Sequence, residues 1–194
     1  FVKQAKEYVG DKLAICTVIG FPNGYSTTAT KVFETADAVK NGADEIDMVI
    51  NVGWLKDGRY DELLNEIKAV KDACNGKILK VIIETCLLTD EEKIEMCRIV
   101  TEAGADFIKT STGKGYPGAT PEAVYTMCQV LKTYHSITGK RIGIKVAGGI
   151  RTAEEAVRYY TIIKDVLGND WLNKELFRIG ASSLLHDLES RLGK

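Results

Sequence analysis

Apolar positions along the chain keep two alternating rhythms. Short runs rich in apolar residues fall at 13–19, 45–51, 79–84, 106–110, 142–147 and 176–180, and each predicts a strand buried on both faces. Between them, at 27–41, 61–74, 90–103, 121–135 and 152–167, apolar residues recur every three or four positions, and a last such stretch lies near 183–192. That period predicts helices packed by one face; in 27–41 it is carried by Ala29, Val32, Phe33, Ala36 and Val39. Punctuation supports the reading. Thr89 with Glu92 and Thr152 with Glu155 have the spacing of capping boxes, and Thr120-Pro121 is an N-cap followed by proline in the first helical position. Asn41-Gly42, Gly104 and Gly168 stand where helices should stop.

The first residues already read as helix. Phe1, Val2, Ala5, Tyr8 and Val9 share one helical face and Gly10 suits its end. The expectation is a chain that starts inside a helix, either processed or a fragment of a longer protein. The stretch is no secretory leader, because it lacks a basic start and an unbroken apolar run.

The strands recur every ~30–35 residues, the length of one βα unit. Six such units in 194 residues fall about two short of a (β/α)8 barrel, which typically takes ~250. The competing architecture, an open doubly wound sheet, favours a Gly-rich dinucleotide turn after its first strand, and Gly20-Phe21-Pro22-Asn23-Gly24 is not of that form. The expected fold is therefore α/β, a single domain over 1–194 of the (β/α)8 TIM-barrel family, incomplete, with about six of eight strands.

Composition narrows the function. With 45% hydrophobic residues the chain can build a core, and no apolar run approaches the ~20 residues of a membrane span. Lys and Arg total 26 against 27 Asp and Glu, so there is no basic footprint for nucleic acid or anionic lipid. The five cysteines (Cys16, Cys74, Cys86, Cys97 and Cys128) are scattered, without a CxxC pair or zinc spacing, and read as reduced thiols of a cytosolic protein.

Candidate chemistry sits on the strands. Asp47, Lys109 and Lys145 each interrupt an apolar run, and charged side chains are rarely buried without purpose or partner. The bland reading is that each lysine snorkels to a rim and Asp47 makes a structural ion pair. Against it, the two lysines hold matching places in consecutive strands, which in a barrel usually neighbour each other. Facing lysines disfavour each other's charge, and burial adds to the effect. A neutral amine is what Schiff-base formation needs, with Asp47 free to balance charge or relay protons.

Glycine-rich loops follow the later strands: Gly113-Lys114-Gly115, Gly148-Gly149 and Gly180-Ala181-Ser182-Ser183. Any one of them could be an ordinary tight turn. Together they fit an anion cradle, where main-chain N–H groups approach a phosphate and Lys114 adds a point charge. His135 and His186 lie on predicted helices and read as structural, as do Trp54 and Trp171. Glu84 and Arg151 are candidates for supporting groups, and Cys86, near Glu84, carries no mark of a nucleophile.

These segments, in this order, resemble the 2-deoxyribose-5-phosphate aldolases, a class I aldolase family, over about residues 12–192. The resemblance rests on Cys16-Thr17-Val18-Ile19-Gly20-Phe21-Pro22, Glu45-Ile46-Asp47-Met48-Val49-Ile50-Asn51, Val81-Ile82-Ile83-Glu84-Thr85, Phe107-Ile108-Lys109-Thr110-Ser111-Thr112-Gly113, Lys145 with Ala147-Gly148-Gly149-Ile150-Arg151-Thr152, and Arg178-Ile179-Gly180-Ala181-Ser182-Ser183. It implies a (β/α)8 barrel and reversible cleavage of 2-deoxy-D-ribose 5-phosphate to D-glyceraldehyde 3-phosphate and acetaldehyde. Lys109 matches the Schiff-base lysine, Lys145 the second lysine that keeps its pKa low, and Asp47 the proton-relay carboxylate. Gly113, Lys114, Gly148, Gly149, Ser182 and Ser183 match positions around the substrate phosphate. The resemblance implies neither metal nor organic cofactor, a cytoplasmic enzyme with a phosphosugar as its small-molecule partner, and no nucleic-acid or membrane partner; it leaves room for a homodimer. Against the family pattern this chain lacks the two N-terminal βα units, roughly 50 residues. Two other readings follow: a barrel fragment that needs a complementing segment, or a class I aldolase of another phosphosugar.

Overall fold

The computed structural model describes residues 1–193. Six strands alternate with helices along the chain, and their bounds lie within three residues of those predicted at every strand end. The chain divides into two compact units, one made of residues 1–82 with 99–107 and the other of residues 83–98 with Ile108 onward.

The first unit holds α1 (Val2–Val9), β1 (Cys16–Ile19), α2 (Thr28–Lys40), β2 (Glu45–Val49), α3 (Val52–Lys56), α4 (Tyr60–Ala73) and β3 (Ile78–Ile82). Its strands are parallel in the order β1-β2-β3, in a register that aligns Val18, Asp47 and Lys80. Every residue of β2 is buried, as a strand flanked on both edges and covered on both faces must be. Ile46, Met48, Leu63, Ile67, Leu79 and Val81 are wholly buried and form the heart of this unit. An ion pair crosses the same interior. Lys31 of α2 donates to Glu66 of α4 at 2.7 Å and to the Val49 carbonyl at 2.9 Å, with both side chains fully buried. Burial pulls the Lys31 pKa down and pushes the Glu66 pKa up, against their mutual attraction.

Helix α3 departs from the sequence expectation. The strand was expected to run through Asn51, but Asn51 turns out of it and its side chain accepts the Trp54 N–H at 3.2 Å, capping the short helix. Five residues are too few to show a helical period.

Just before β2, Asp44 ties three segments. Its carboxylate accepts the Ile15 N–H at 3.0 Å and pairs with Lys6 at 3.4 Å and Lys77 at 3.5 Å. The Ile15 amide, and after it the lysines, outweigh partial burial and hold the Asp44 pKa below the usual carboxylate value. A depressed carboxylate pKa stabilises the fold above the unfolded-state value and ceases to do so as pH falls through the folded-state one. Asp44→Asn is therefore expected to cost about 1 kcal/mol in urea unfolding at pH 7, and the gap to the parent protein should close below about pH 4. A deficit that persists unchanged at pH 3 would refute the linkage.

Helix α5 (Asp90–Glu102) and strand β4 (Phe107–Lys109) run from one unit into the other along the chain. The second unit continues with α6 (Pro121–Thr138), β5 (Gly143–Ala147), α7 (Ala153–Leu167), β6 (Phe177–Gly180) and α8 (Leu184–Arg191). Its strand order is β4-β5-β6, with β5 and β6 parallel and Lys145 opposite Arg178. Thr110 locks the top of β4 to β5: its hydroxyl both donates to the Ala147 carbonyl and accepts the Ala147 N–H, each at 3.0 Å. The expected caps are present. Thr89 and Glu92 exchange bonds at the head of α5, Thr152 and Glu155 form the capping box of α7, and Thr120 caps α6 ahead of Pro121. His135 and His186 lie on helices as expected, and Trp171 is buried with its indole N–H on the Ile142 carbonyl at 3.1 Å. Among the described residues no helix is long and apolar enough to cross a membrane.

Candidate active site

In the second unit the β4–β5 pairing brings the two predicted lysines to one cleft. Thr110 donates its N–H to the Lys145 carbonyl at 3.1 Å, which makes β4 and β5 neighbours. Lys109, buried, and Lys145, half-buried, both line a cleft of about 360 Å3. Gly113, Gly148, Gly149 and Ser182 line it with them, so six of the predicted residues meet there. Lys114 and Ser183 are exposed and do not line it. Thr112 and Arg151 do; Arg151 was read from sequence only as a supporting group, and Thr112 was not singled out.

The lining carries Lys109, Lys145 and Arg151 and no carboxylate, a balance that favours an anion. Its glycine loops give close backbone approach. Gly148 and Gly149 have φ of 94° and 85°, a region that glycine enters freely. Gly148 is also pressed by the loop after β4: Ala119 donates to its carbonyl at 3.1 Å, and a Cβ on Gly118 would lie 2.4 Å from that oxygen. The amides leading into α7 are already committed. Those of Arg151 and Thr152 go to Glu155 at 2.6 and 3.1 Å, and that of Ala153 to Asp187 at 2.8 Å. An anion at this end is thus left to the glycine loop before the helix rather than to the helix terminus.

Asp47 belongs to the first unit, where β2 and β3 set it beside a lysine that the sequence reading passed over. Lys80 is fully buried and donates to Asp47 Oδ1 at 2.9 Å, pairs with Glu45 Oε2 at 2.6 Å, and lies 3.4 Å from Cys16 Sγ. The Cys16 thiol is itself 3.2 Å from Asp47 Oδ1. Burial pulls the Lys80 pKa down, but Asp47, Cys16 and Glu45 together outweigh it and hold the ammonium above the usual lysine value. The signal was available: Leu79-Lys80-Val81 interrupts an apolar run just as the other two lysines do.

The remaining thiols are poor nucleophiles. None of the five cysteines forms a disulfide. Burial pushes Cys74 up to about 11 and Cys128 to about 12, and it also raises Cys97 and, with Glu84, Cys86. Among the described residues no group of three His, Cys, Asp or Glu is placed to hold a metal ion.

A model of the DeoC/LacD family aldolases matches residues 1–187 of the chain. The chain belongs to the DeoC/LacD aldolase family. Its DeoC/LacD relatives include deoxyribose-phosphate aldolases of Streptococcus agalactiae and Streptococcus pyogenes, each 55% identical over 174 residues, covering 90% of this chain and 75% of the relative. Solved structures agree. A protein of Coccidioides immitis, provisionally assigned as a deoxyribose-phosphate aldolase, superposes with a TM-score of 0.85 at 38% identity, covering 98% of this chain and 70% of that one. The tetrameric deoxyribose phosphate aldolase of Aeropyrum pernix gives 0.78 at 27% identity, covering 98% and 72%. The family and its structures bear out the α/β fold of the (β/α)8 barrel family, here with six strands among the described residues. A class I aldolase is the corresponding enzyme class.

Proposed function

We propose that this chain cleaves 2-deoxy-D-ribose 5-phosphate reversibly to D-glyceraldehyde 3-phosphate and acetaldehyde, through a Schiff base on Lys109. One observation supports the reading above the others: Lys109, Lys145 and the Gly113 and Gly148-Gly149 loops line a single cleft with no carboxylate in its wall. The amine of Lys109 adds to the C1 aldehyde of the open-chain sugar and expels water, leaving a protonated imine. The imine draws the electrons of the C2–C3 bond as that bond breaks and the C3 hydroxyl loses its proton. The two-carbon half remains as an enamine, which is protonated at C2 and hydrolysed to acetaldehyde. The three-carbon half leaves as the phosphorylated aldehyde. Lys145, in the same cleft, keeps the supporting role beside Lys109 that the family resemblance assigns to it. Asp47 keeps the proton-relay role that the family resemblance assigns to it. The phosphate is assigned to Gly113, Gly148, Gly149 and Ser182, with Lys114 and Ser183 as outer groups. No cofactor is required by these steps.

On this proposal residues 1–194 are one aldolase domain of a cytoplasmic protein, with room for a homodimer. A second reading is favoured by one fact: the chain spans 75% of the length of its streptococcal relatives. On that reading it is a barrel fragment that becomes active only with a complementing segment.

Borohydride reduction in the presence of 2-deoxyribose 5-phosphate, followed by peptide mass mapping, separates these readings. A single adduct on Lys109, absent in Lys109→Ala, is the expected result. Adducts spread over surface lysines would favour the fragment, and an adduct formed only with another phosphosugar would reassign the substrate.

A further inference from the structure

Glu84 stands out in the second unit by its backbone and by its partners. Its φ of 53° and ψ of 64° are left-handed, a conformation that is strained for a residue with a Cβ. It is also buried, at 5% exposure. The carboxylate takes the Thr112 N–H at 3.2 and 3.3 Å to its two oxygens, and the Thr112 hydroxyl donates to Oε2 in a further short bond. Thr112 Oγ1 in turn accepts the Lys114 N–H at 3.0 Å. The turn from Thr112 to Gly115 is therefore wound around one side chain. It is also packed onto it: a Cβ on Gly115 would meet Cys86 Sγ at 2.9 Å and Glu84 Cδ at 3.5 Å.

Thr112 and Gly113 from this turn line the cleft, on the strand exit that follows Lys109. A carboxylate this close to an anion pocket opposes the anion by charge, so its place needs a return that outweighs the repulsion. Lys109 lies on its own strand, with its carbonyl accepting the Ile83 N–H at 3.0 Å. What Glu84 fixes is the turn.

We propose that Glu84 is a positioning residue for the substrate phosphate, acting through Thr112 to hold the Thr112–Gly115 turn against the cleft. The proposal rests on the phosphosugar reading above. It predicts a split that a merely structural role does not, with phosphorylated ligands affected more than unphosphorylated ones.

The test compares 2-deoxyribose 5-phosphate with unphosphorylated 2-deoxyribose, and adds inorganic phosphate as a competitor and as a ligand followed by 31P NMR. In Glu84→Ala the KM for the phosphorylated sugar and the inhibition constant for inorganic phosphate should rise together by roughly tenfold or more, the scale of losing bonds to a charged acceptor. The kcat/KM for 2-deoxyribose should stay within about twofold. Glu84→Gln, which keeps one acceptor for the Thr112 N–H, should recover most of the loss. Thr112→Val, which removes the hydroxyl but leaves the left-handed residue alone, should raise the inhibition constant for inorganic phosphate as Glu84→Ala does, and it carries the phosphate arm of the test if Glu84→Ala does not fold. An equal loss on both sugars, or an unchanged phosphate constant in a folded Glu84→Ala or Thr112→Val, would overturn the proposal. If the parent protein cleaves neither sugar, the phosphosugar reading has failed. Phosphate binding by NMR then decides Glu84 separately, with unweakened binding in the variants counting against it.

Discussion

Lys109→Ala is expected to lower cleavage of 2-deoxyribose 5-phosphate by roughly four orders of magnitude or more, the scale on which removal of a covalent nucleophile acts. Among the residues that line the cleft, Lys145 carries the other amine. Lys145 lines the same cleft but projects from β5, one strand away, so an imine on it would carry C2 and C3 to a different place. The change should leave the fold in place. Lys109 sits at the end of β4, its carbonyl keeps its bond to Ile83, and the neighbouring Thr110 keeps both bonds to Ala147. Steady-state assays coupled to acetaldehyde reduction would read the loss, and far-UV circular dichroism with urea titration would show whether stability is retained. More than about 1% residual turnover in a homogeneous preparation would rule out the Schiff base at this position.

Lys80→Met is expected to have the largest effect on stability, a loss of about 3–5 kcal/mol. Methionine nearly matches the volume of the stem, so the loss would not come from a cavity. It would come from Glu45 and Asp47, two nearly buried carboxylates that the ammonium now holds at 2.6 and 2.9 Å. Without it they must either stay charged at close quarters or take up a proton. The Lys80 pKa is raised, so its contribution is complete below the ordinary lysine value near 10.4 and is lost only as pH rises through the raised one. The parent protein should show no change from this group between pH 6 and 9. The variant should regain stability toward pH 5, as the stranded carboxylates are neutralised. Urea midpoints at pH 7 and pH 5 measure both, and a deficit under about 1 kcal/mol at pH 7 would mean that the pair is worth no more than a surface bridge.

Most of the fold was legible because its elements have different hydrophobic periods and well-marked ends. The strands around Asp47, Lys109 and Lys145 were legible twice over, as apolar runs and as places where a charge breaks such a run. Lys80 broke one in the same way and was passed over, though its register opposite Asp47 follows from parallel pairing of β2 and β3. Other features leave no local trace. The Lys31–Glu66 pair joins two helices across 35 positions, and each partner alone looks like an ordinary polar residue of an amphipathic helix. The left-handed backbone of Glu84 runs against its residue type, so no propensity could announce it. Expectation and structure also part at Asn51, where a side-chain cap ends a strand that the apolar pattern alone would extend.

The crowding at Gly148 constrains how such a cleft can diverge. A methyl group there would meet Gly118 Cα at 2.9 Å, whereas a Cβ on Gly149 meets nothing within 4 Å. Drift toward a bulkier or differently charged ligand is thus closed at one glycine and open at its neighbour, provided the newcomer tolerates a positive φ, as asparagine and aspartate do better than other residues. An aspartate at 149 would set a negative charge beside a cleft now lined by cations, and so disfavour an anion there through a single codon.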